Sequence, residues 1–461
     1  MRLRSVQING YKRFAAPHTL YLGPSVIAVV GPNEAGKTSL LKGLMHLPAN
    51  AAFDRREFTG RRQPAGLTRI VQARYEVETA DRADIAHLLD NDQNYVFERR
   101  LESDGVARWT LDPWIRRDTS AREALSKQIA ASNESKSLDI IFAADEDGNI
   151  PDPDLSISST AAGLAEMLSE AAEDLDEEQL AQVAAFQQVL EARAGECTEP
   201  SQASELLETM SDVVSKEQVA KPSDQIYAAL NPRVPRMLEF DDDQRALLSD
   251  YVWSEMSTAP DALGNLLHLA DADFDMYRSL ATDRDRRDEL STFERKLNIT
   301  LKERLEAWSQ HELTITLRAD TESLAVHVTD DDTQRDVPIE ERSAGMRMFA
   351  ALLAFCARYA TDTPPILLFD EAETHLHYGA QADLMDVFAK QDVAQAVIYT
   401  THSIGCLPED LGRSIRVVAP VGSEESEIRN EFWSGGVGLT PLMLAMGASA
   451  IAFSPARYAV L

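Results

Sequence analysis

At 461 residues the chain has room for two or three domains, and its 76 acidic against 45 basic side chains give a formal net charge of −31. Such a surface repels nucleic acid unless local basic patches override the mean field. The three cysteines (Cys197, Cys356, Cys406) have no metal-type spacing and suggest no disulfide framework; with no stretch of membrane-span length and no apolar signal core, a soluble cytoplasmic protein without a membrane partner is expected.

Leu3 to Ile8 alternates as a strand does, and Tyr11-Lys12-Arg13-Phe14 follows at a turn. Ser25 leads into Val26-Ile27-Ala28-Val29-Val30, whose β-branched apolar run reads as a buried parallel strand. Gly31-Pro32-Asn33-Glu34-Ala35-Gly36-Lys37-Thr38 comes next, and Ser39 to Met45 carries leucines at the spacing of a helix packed on a sheet. Strand, glycine-rich turn and helix together make backbone N–H groups converge on phosphate oxygens at a helix N-terminus. Gly31, Asn33, Glu34, Ala35, Gly36, Lys37, Thr38 and Ser39 are therefore the expected nucleotide cradle. Lys37 is placed to reach the β- and γ-phosphates, and Thr38 to offer its hydroxyl to Mg²⁺. The pattern predicts binding of a nucleoside triphosphate.

Arg69 to Val77 and Tyr95 to Leu101 are strand-like, and Ser103-Asp104-Gly105 turns into Val106 to Leu111 as a hairpin. From about Asp118 the character becomes helical. Residues 151–210 hold 14 acidic side chains against one basic, Arg193. Ala161 to Leu175 and Gln179 to Ala194 read as two amphipathic helices joined by Asp176-Glu177-Glu178, a solvated arm or dimer contact before it is a ligand site. No heptads persist long enough for a coiled-coil rod. Around Pro232 to Phe240 the chain returns to the sheet, and its prolines restrict it to an edge or a strand start. Helices are expected over Gln244 to Met256 and Phe274 to Gln310, then strands at Leu313 to Leu317 and Leu324 to Val328.

In the C-terminal third, Glu341-Arg342-Ser343-Ala344-Gly345-Met346-Arg347 precedes an apolar helix from Met348 to Tyr359. Small residues at a helix start let backbone N–H groups approach an anion closely. Pro365-Ile366-Leu367-Leu368-Phe369-Asp370-Glu371 is an apolar strand ending in two carboxylates. Asp370 suits a Mg²⁺ shell, and Glu371 suits orienting or deprotonating the attacking water. Neighbours on a strand point to different faces, which fits two separate tasks. Ala396 to Thr401 is another buried strand, and His402 at its end is placed to contact the γ-phosphate.

In this order the four pieces resemble the ABC-type ATPase heads of the SMC, RecF and OLD (overcoming lysogenization defect) group, above all OLD-family ATPases. Gly31 to Thr38 is similar to their phosphate loop, and Glu341-Arg342-Ser343-Ala344-Gly345 to their signature motif. Asp370-Glu371-Ala372-Glu373-Thr374-His375-Leu376-His377 is similar to their Walker B and D-loop run, and Thr401-His402-Ser403 to their switch histidine. The likeness covers residues 1–117 and 291–420 and matches the helical middle weakly. Ala372 and Tyr378 stand where the family often has proline, and Gln72 is a weak candidate for the Q-loop glutamine.

The resemblance implies an α/β fold: an ABC-type P-loop ATPase head with a mixed sheet and a helical insertion. Residues 1–117 would form the N-terminal part of the head, 118–290 an acidic, mostly helical insertion for dimer or partner contact, and 291–461 the C-terminal part. It implies ATP and Mg²⁺ as cofactors, catalytic roles for Lys37, Glu371 and His402, and metal binding by Thr38 and Asp370. Two heads would pair as a homodimer or higher homo-oligomer, Ser343 and Gly345 of one completing the site of the other. Many OLD proteins continue into a TOPRIM nuclease domain; Tyr458-Ala459-Val460-Leu461 resembles its opening strand, and no nuclease centre is visible. The expected activity is thus ATP hydrolysis that regulates a nuclease effector, in trans or beyond this chain, in phage defence or DNA maintenance. Two alternatives remain: a slow ATP-gated scaffold that sequesters a partner protein, and a RecF-like DNA-repair ATPase with Arg55-Arg56 and Arg61-Arg62 as DNA contacts.

Overall fold

The computed structural model describes residues 1–48, 52–64, 66–90, 92–137, 157–170, 174–308, 314–330, 335–342, 344–359, 363–374, 376–391 and 393–431. The chain divides into two units, one built from Met1–Glu78, Asn94–Asp112 and Arg233–Leu461, the other from Thr79–Gln93 and Pro113–Pro232.

The first unit begins with β1 (Arg2–Ile8), β2 (His18–Tyr21), β3 (Val26–Val30), α1 (Lys37–Met45), β4 (Arg69–Glu76), β5 (Val96–Glu102) and β6 (Ala107–Asp112). The second unit supplies α2 (Ser120–Glu134), α3 (Ile157–Glu170), α4 (Glu177–Arg193), α5 (Pro200–Gln218) and α6 (Pro222–Leu230). The first resumes with β7 (Met237–Glu239), α7 (Asp242–Arg245), β8 (Asp250–Val252), α8 (Asp261–Leu269), α9 (Phe274–Thr282), α10 (Arg287–Trp308), β9 (Thr314–Ala319), β10 (Ser323–Asp330) and β11 (Arg335–Pro338). It continues through α11 (Ala344–Arg358), β12 (Ile366–Phe369), α12 (Tyr378–Lys390), β13 (Ala396–Thr401), α13 (Leu411–Ser414), β14 (Ile415–Val421) and β15 (Glu425–Arg429).

A six-stranded sheet in the order β15-β14-β3-β13-β12-β7 frames the site. Its neighbours are parallel except for the β14–β15 pair. Every residue of β12 and β13 is buried, as are Ile27 to Val30 of β3. An interior parallel strand is covered on both faces, so its sequence is an unbroken apolar run. β7 takes the sheet edge, where Pro235 just before it costs no ladder bond. A second, antiparallel sheet runs β2-β1-β4-β5-β6; Arg74–Glu98 and Arg108–Glu102 ion pairs cross between its strands, and Arg100–Glu102 runs along β5. In a third sheet β10 pairs with β9 on one side and with β8 and β11 on the other.

α11 buries Ala350 to Cys356 in a core shared with α8, α9, α10 and the strands β9, β10, β12 and β13. Aromatic rings continue that core: Phe240 lies 5.2 Å from Phe355 and 5.3 Å from Phe369, and Phe369 lies 4.6 Å from Phe388. Each such pair adds about 0.5–1.5 kcal/mol beyond its buried area. The second unit is a helical bundle in which α2 packs on α3 and α5, and α4 on α5. Leu125, Ile129, Leu168, Phe186, Leu206 and Met210 fill its own core.

The structure departs from four of these expectations. The insertion ends at Pro232 rather than at residue 290, and it also takes residues 79–93. Acidic surface positions run through both stretches, but Leu263, Leu266, Tyr277 and Leu280 are buried with the six-stranded sheet. The helix expected over Gln244 to Met256 stops at Arg245; Tyr251 instead pairs with Leu324 in β8, because a β-favouring Tyr-Val-Trp run finds the open edge of β10. The helix expected from Phe274 is two, parted at Asp283, whose side chain accepts the N–H of Asp285. Asp176 to Glu178 is less a linker than the start of α4: Asp176 and Gln179 form a capping box. Among the described residues no helix is long and apolar enough to cross a membrane.

Candidate nucleotide site

β3 ends at the sheet's interior and hands the chain to the loop Gly31–Gly36. Gly31 is obligatory there: a Cβ on it would lie 2.2 Å from the carbonyl oxygen of Val418 on β14. Gly36, with φ 100°, supplies the left-handed turn that starts α1. Lys37 is buried, and its Nζ donates to the carbonyls of Gly31 and Pro32 at 3.1 Å each. Two of the ammonium's three donors thus pin the loop's own backbone. Burial pushes Lys37 below its usual pKa, and the charges of Asp370, Glu371 and Glu373 oppose that.

Arg13, Asn33, Glu34, Gly36, Lys37, Thr38, Ser39, Asp370, Glu371 and His402 line one cavity of about 320 Å³. The expected phosphate-loop, strand-end and switch residues therefore meet. Ala35 is buried beneath the loop. Ser343 lies outside the described residues, as does the terminal stretch Tyr458 to Leu461, while Gly345 falls in the first turn of α11. Gln72 pairs with Gln7 and Arg100 inside β4 and is not among the residues that line the cavity. Arg55, Arg56, Arg61 and Arg62 are exposed, and Arg55 Nε donates to the Arg61 carbonyl.

Asp370 and Glu371 do not split to opposite faces as strand neighbours would. β12 ends at Phe369, and Glu371 takes φ 48°, so both carboxylates turn to the same cavity. Thr400 of the adjacent strand holds this turn. Its hydroxyl donates to Asp370 Oδ1 at 2.6 Å and accepts the Glu371 N–H at 2.7 Å, and its carbonyl accepts the Ala372 N–H at 3.0 Å. The backbone N–H of His402 donates to Glu373 Oε1 at 2.5 Å, tying the end of β13 to the run after the paired carboxylates.

Sequence reasoning missed Arg13, Thr400 and Arg245. Arg13 reaches the cavity from the turn after β1, its Nε donating to Ser426 Oγ and its Nη2 to the Ser423 and Glu425 carbonyls. The signal available was a Lys-Arg pair at a turn; no signal marked Thr400 inside an apolar strand. Arg245 Nη2 donates to the Asp370 carbonyl at 2.8 Å.

Thr38 and Asp370 bring a hydroxyl and a carboxylate to one cavity. Mg²⁺ keeps several waters and takes phosphate oxygens beside one or two protein oxygens, so this donor set fits it. Among the described residues no group of three or more His, Cys, Asp or Glu could hold a metal on its own.

A parallel sheet with a phosphate loop between its central strand and α1, and paired carboxylates at the tip of a neighbouring strand, defines an ABC-type P-loop ATPase head. The sequence pattern of the AAA ATPase domain family matches residues 1–407, and the chain belongs to that family. A local likeness joins it to the chromosome partition protein Smc: 48% identity over 44 residues in Mycobacterium tuberculosis and 46% over 44 residues in Mycolicibacterium paratuberculosis, 10% of this chain and 4% of each relative. Among solved structures, an Smc head bound to the C-winged helix domain of ScpA aligns over 96% of this chain and 100% of its own, at 12% identity and a TM-score of 0.43. The SMC head domain from Thermotoga maritima aligns over 93% and 99%, at 11% identity and a TM-score of 0.35.

Proposed function

We propose that the chain is an OLD-like ATP-hydrolysing head that pairs with a second copy around two ATPs and, by opening and closing, regulates a nuclease effector. The observation that carries it is the meeting of Lys37, Thr38, Asp370, Glu371 and His402 around one cavity. Loop N–H groups and Lys37 would bind the β- and γ-phosphates, and Thr38 and Asp370 would hold Mg²⁺, which when bound neutralises phosphate charge. Glu371, exposed at the cavity wall, would take the proton of the attacking water. His402 would read the γ-phosphate, and its link to Glu373 would pass that state to the run that follows Glu371. Ser343 and Gly345 of the second copy would complete the site. The OLD likeness of the four motifs supports a nuclease effector in trans or beyond this chain, in phage defence or DNA maintenance.

Phosphate release and light scattering with ATP and Mg²⁺ test this. The unmodified chain should turn over and pair on ATP. Glu371→Gln should keep ATP and the paired state while turnover falls about 10²–10⁴-fold, and Lys37→Ala should lose both. A Glu371→Gln chain that hydrolyses ATP normally removes the assigned base. Plasmid cleavage by the chain alone, unaffected by Lys37→Ala, would replace the regulatory role with a nuclease of its own.

A further inference from the structure

We propose that Arg245 is a positioning residue for ATP hydrolysis: it fixes the Asp370–Glu371 peptide through the Asp370 carbonyl and, through α7, makes that peptide's geometry answer to α11. The inference rests on the ATPase reading of the same site.

The peptide needs holding. Glu371 adopts a left-handed backbone conformation that side-chain-bearing residues rarely take, with φ 48°. Thr400 secures it from the β13 side, and Arg245 from the other, with Nη2 donating to Asp370 O at 2.8 Å. The Arg245 side chain is only 13% exposed, while the nearby Asp242 carboxylate, 3.8 Å away, is 99% exposed and so offers little as an ion-pair partner. Its guanidinium lies over the Phe240 ring at 5.7 Å, and Phe240 is itself fixed by its N–H to the carbonyl of Leu368 on β12. Arg245 Nε is buried without a hydrogen bond. A cation so withdrawn from water is costly to place, and its hydrogen bond goes to the one carbonyl that links the two catalytic carboxylates.

A chain of side-chain hydrogen bonds leads from there to the far end of α11. Gln244, next to Arg245 on α7, accepts from Asn265 Nδ2 at 2.6 Å and donates to Asp261 at 2.8 Å. Asn265, fully buried on α8, accepts from Arg358 Nη1 at 2.8 Å. Arg358 is the last residue of α11, and Gly345 and Arg347 occupy its first turn. Arg347 also lines a cavity of about 490 Å³ together with Arg245, Asp370 and Glu371. Both ends of α11 thus reach the Asp370–Glu371 turn: one across this cavity, the other through Asn265, Gln244 and Arg245. A shift of α11 when a second copy meets its N-terminal turn would move Arg245 and hence Glu371.

The test uses the full chain with Arg245→Ala, Arg245→Lys and Asn265→Leu. Arg245→Ala should lower kcat about 10–100-fold, the scale of a misplaced catalytic group, with affinity for a fluorescent ATP analogue within about twofold of the unmodified chain. Because a cavity adjoins the deleted side chain, millimolar guanidinium should restore part of the lost rate in Arg245→Ala and none in Glu371→Gln. Arg245→Lys should be intermediate, and Asn265→Leu should lower kcat without changing ATP affinity. An unchanged kcat in Arg245→Ala, or a loss matched by lost ATP affinity and not rescued by guanidinium, overturns the positioning role while leaving the ATPase reading intact. If the unmodified chain fails to hydrolyse ATP, the ATPase reading falls first.

Discussion

Thr400 lines no part of the nucleotide cavity, yet its hydroxyl and carbonyl make three of the contacts that shape the Asp370–Glu371 turn. Thr400→Val keeps the shape and removes the hydroxyl, leaving a part-buried N–H and a carboxylate oxygen without this partner, at a cost of about 1 kcal/mol. Turnover and melting temperature should both fall, and Thr400→Ser should recover most of each. Burial pushes the thiols of Cys356 and Cys406 up to about 12, so at pH 8 only about one in ten thousand is ionised. Both should resist iodoacetamide in the native chain and react fully in guanidinium chloride; rapid native labelling would mean that the core opens readily. The sequence exposed Lys37, Thr38, Asp370, Glu371 and His402 because each closes a local strand-to-loop pattern. Arg13, Arg245 and Thr400 work through partners 413, 125 and 30 residues away, and no local pattern carries such contacts.

The elements that read correctly are those whose pattern fits one environment. β3, β12 and β13 are apolar throughout because both their faces are covered, and β4 alternates because one face meets water. β8 misled because three residues are too few for a period to show, and its strand state comes from β10. α4 starts where its capping box says it should. Asp176→Ala should cost that helix about 1 kcal/mol, lowering the melting temperature of the helical unit while ATP turnover stays unchanged. A fall in turnover of the same size would show that the two units do not melt independently.

On the scale of the molecule, the helical unit has a core of its own, distinct from the one around α11, which argues for two unfolding transitions rather than one. The nucleotide cavity lies wholly within the first unit. ATP with Mg²⁺ should therefore raise one calorimetric transition by mass action and leave the other in place, by about 2.7 kcal/mol at a hundredfold excess over Kd. A single transition that moves as a whole would contradict this division. The insertion's limits were misread for a reason of the same scale: surface charge continues across Pro232, while the change of core does not show in composition.

The placement of β3 between β13 and β14 has a consequence for how the protein is made. Val30 and its loop leave the ribosome long before Thr401, the partner of Val30 in β13. At the usual pace of about 5–20 residues per second, the motif waits about 20–75 s for the strands that give it a site. The antiparallel sheet is complete by Asp112 and can settle during that interval, whereas the apolar run Val26 to Val30 stays unpaired and in need of shielding. A product cut short by a stalled ribosome would display the whole glycine-rich motif and still be unable to take up ATP. Nucleotide capture thereby becomes a check that translation has run through β14.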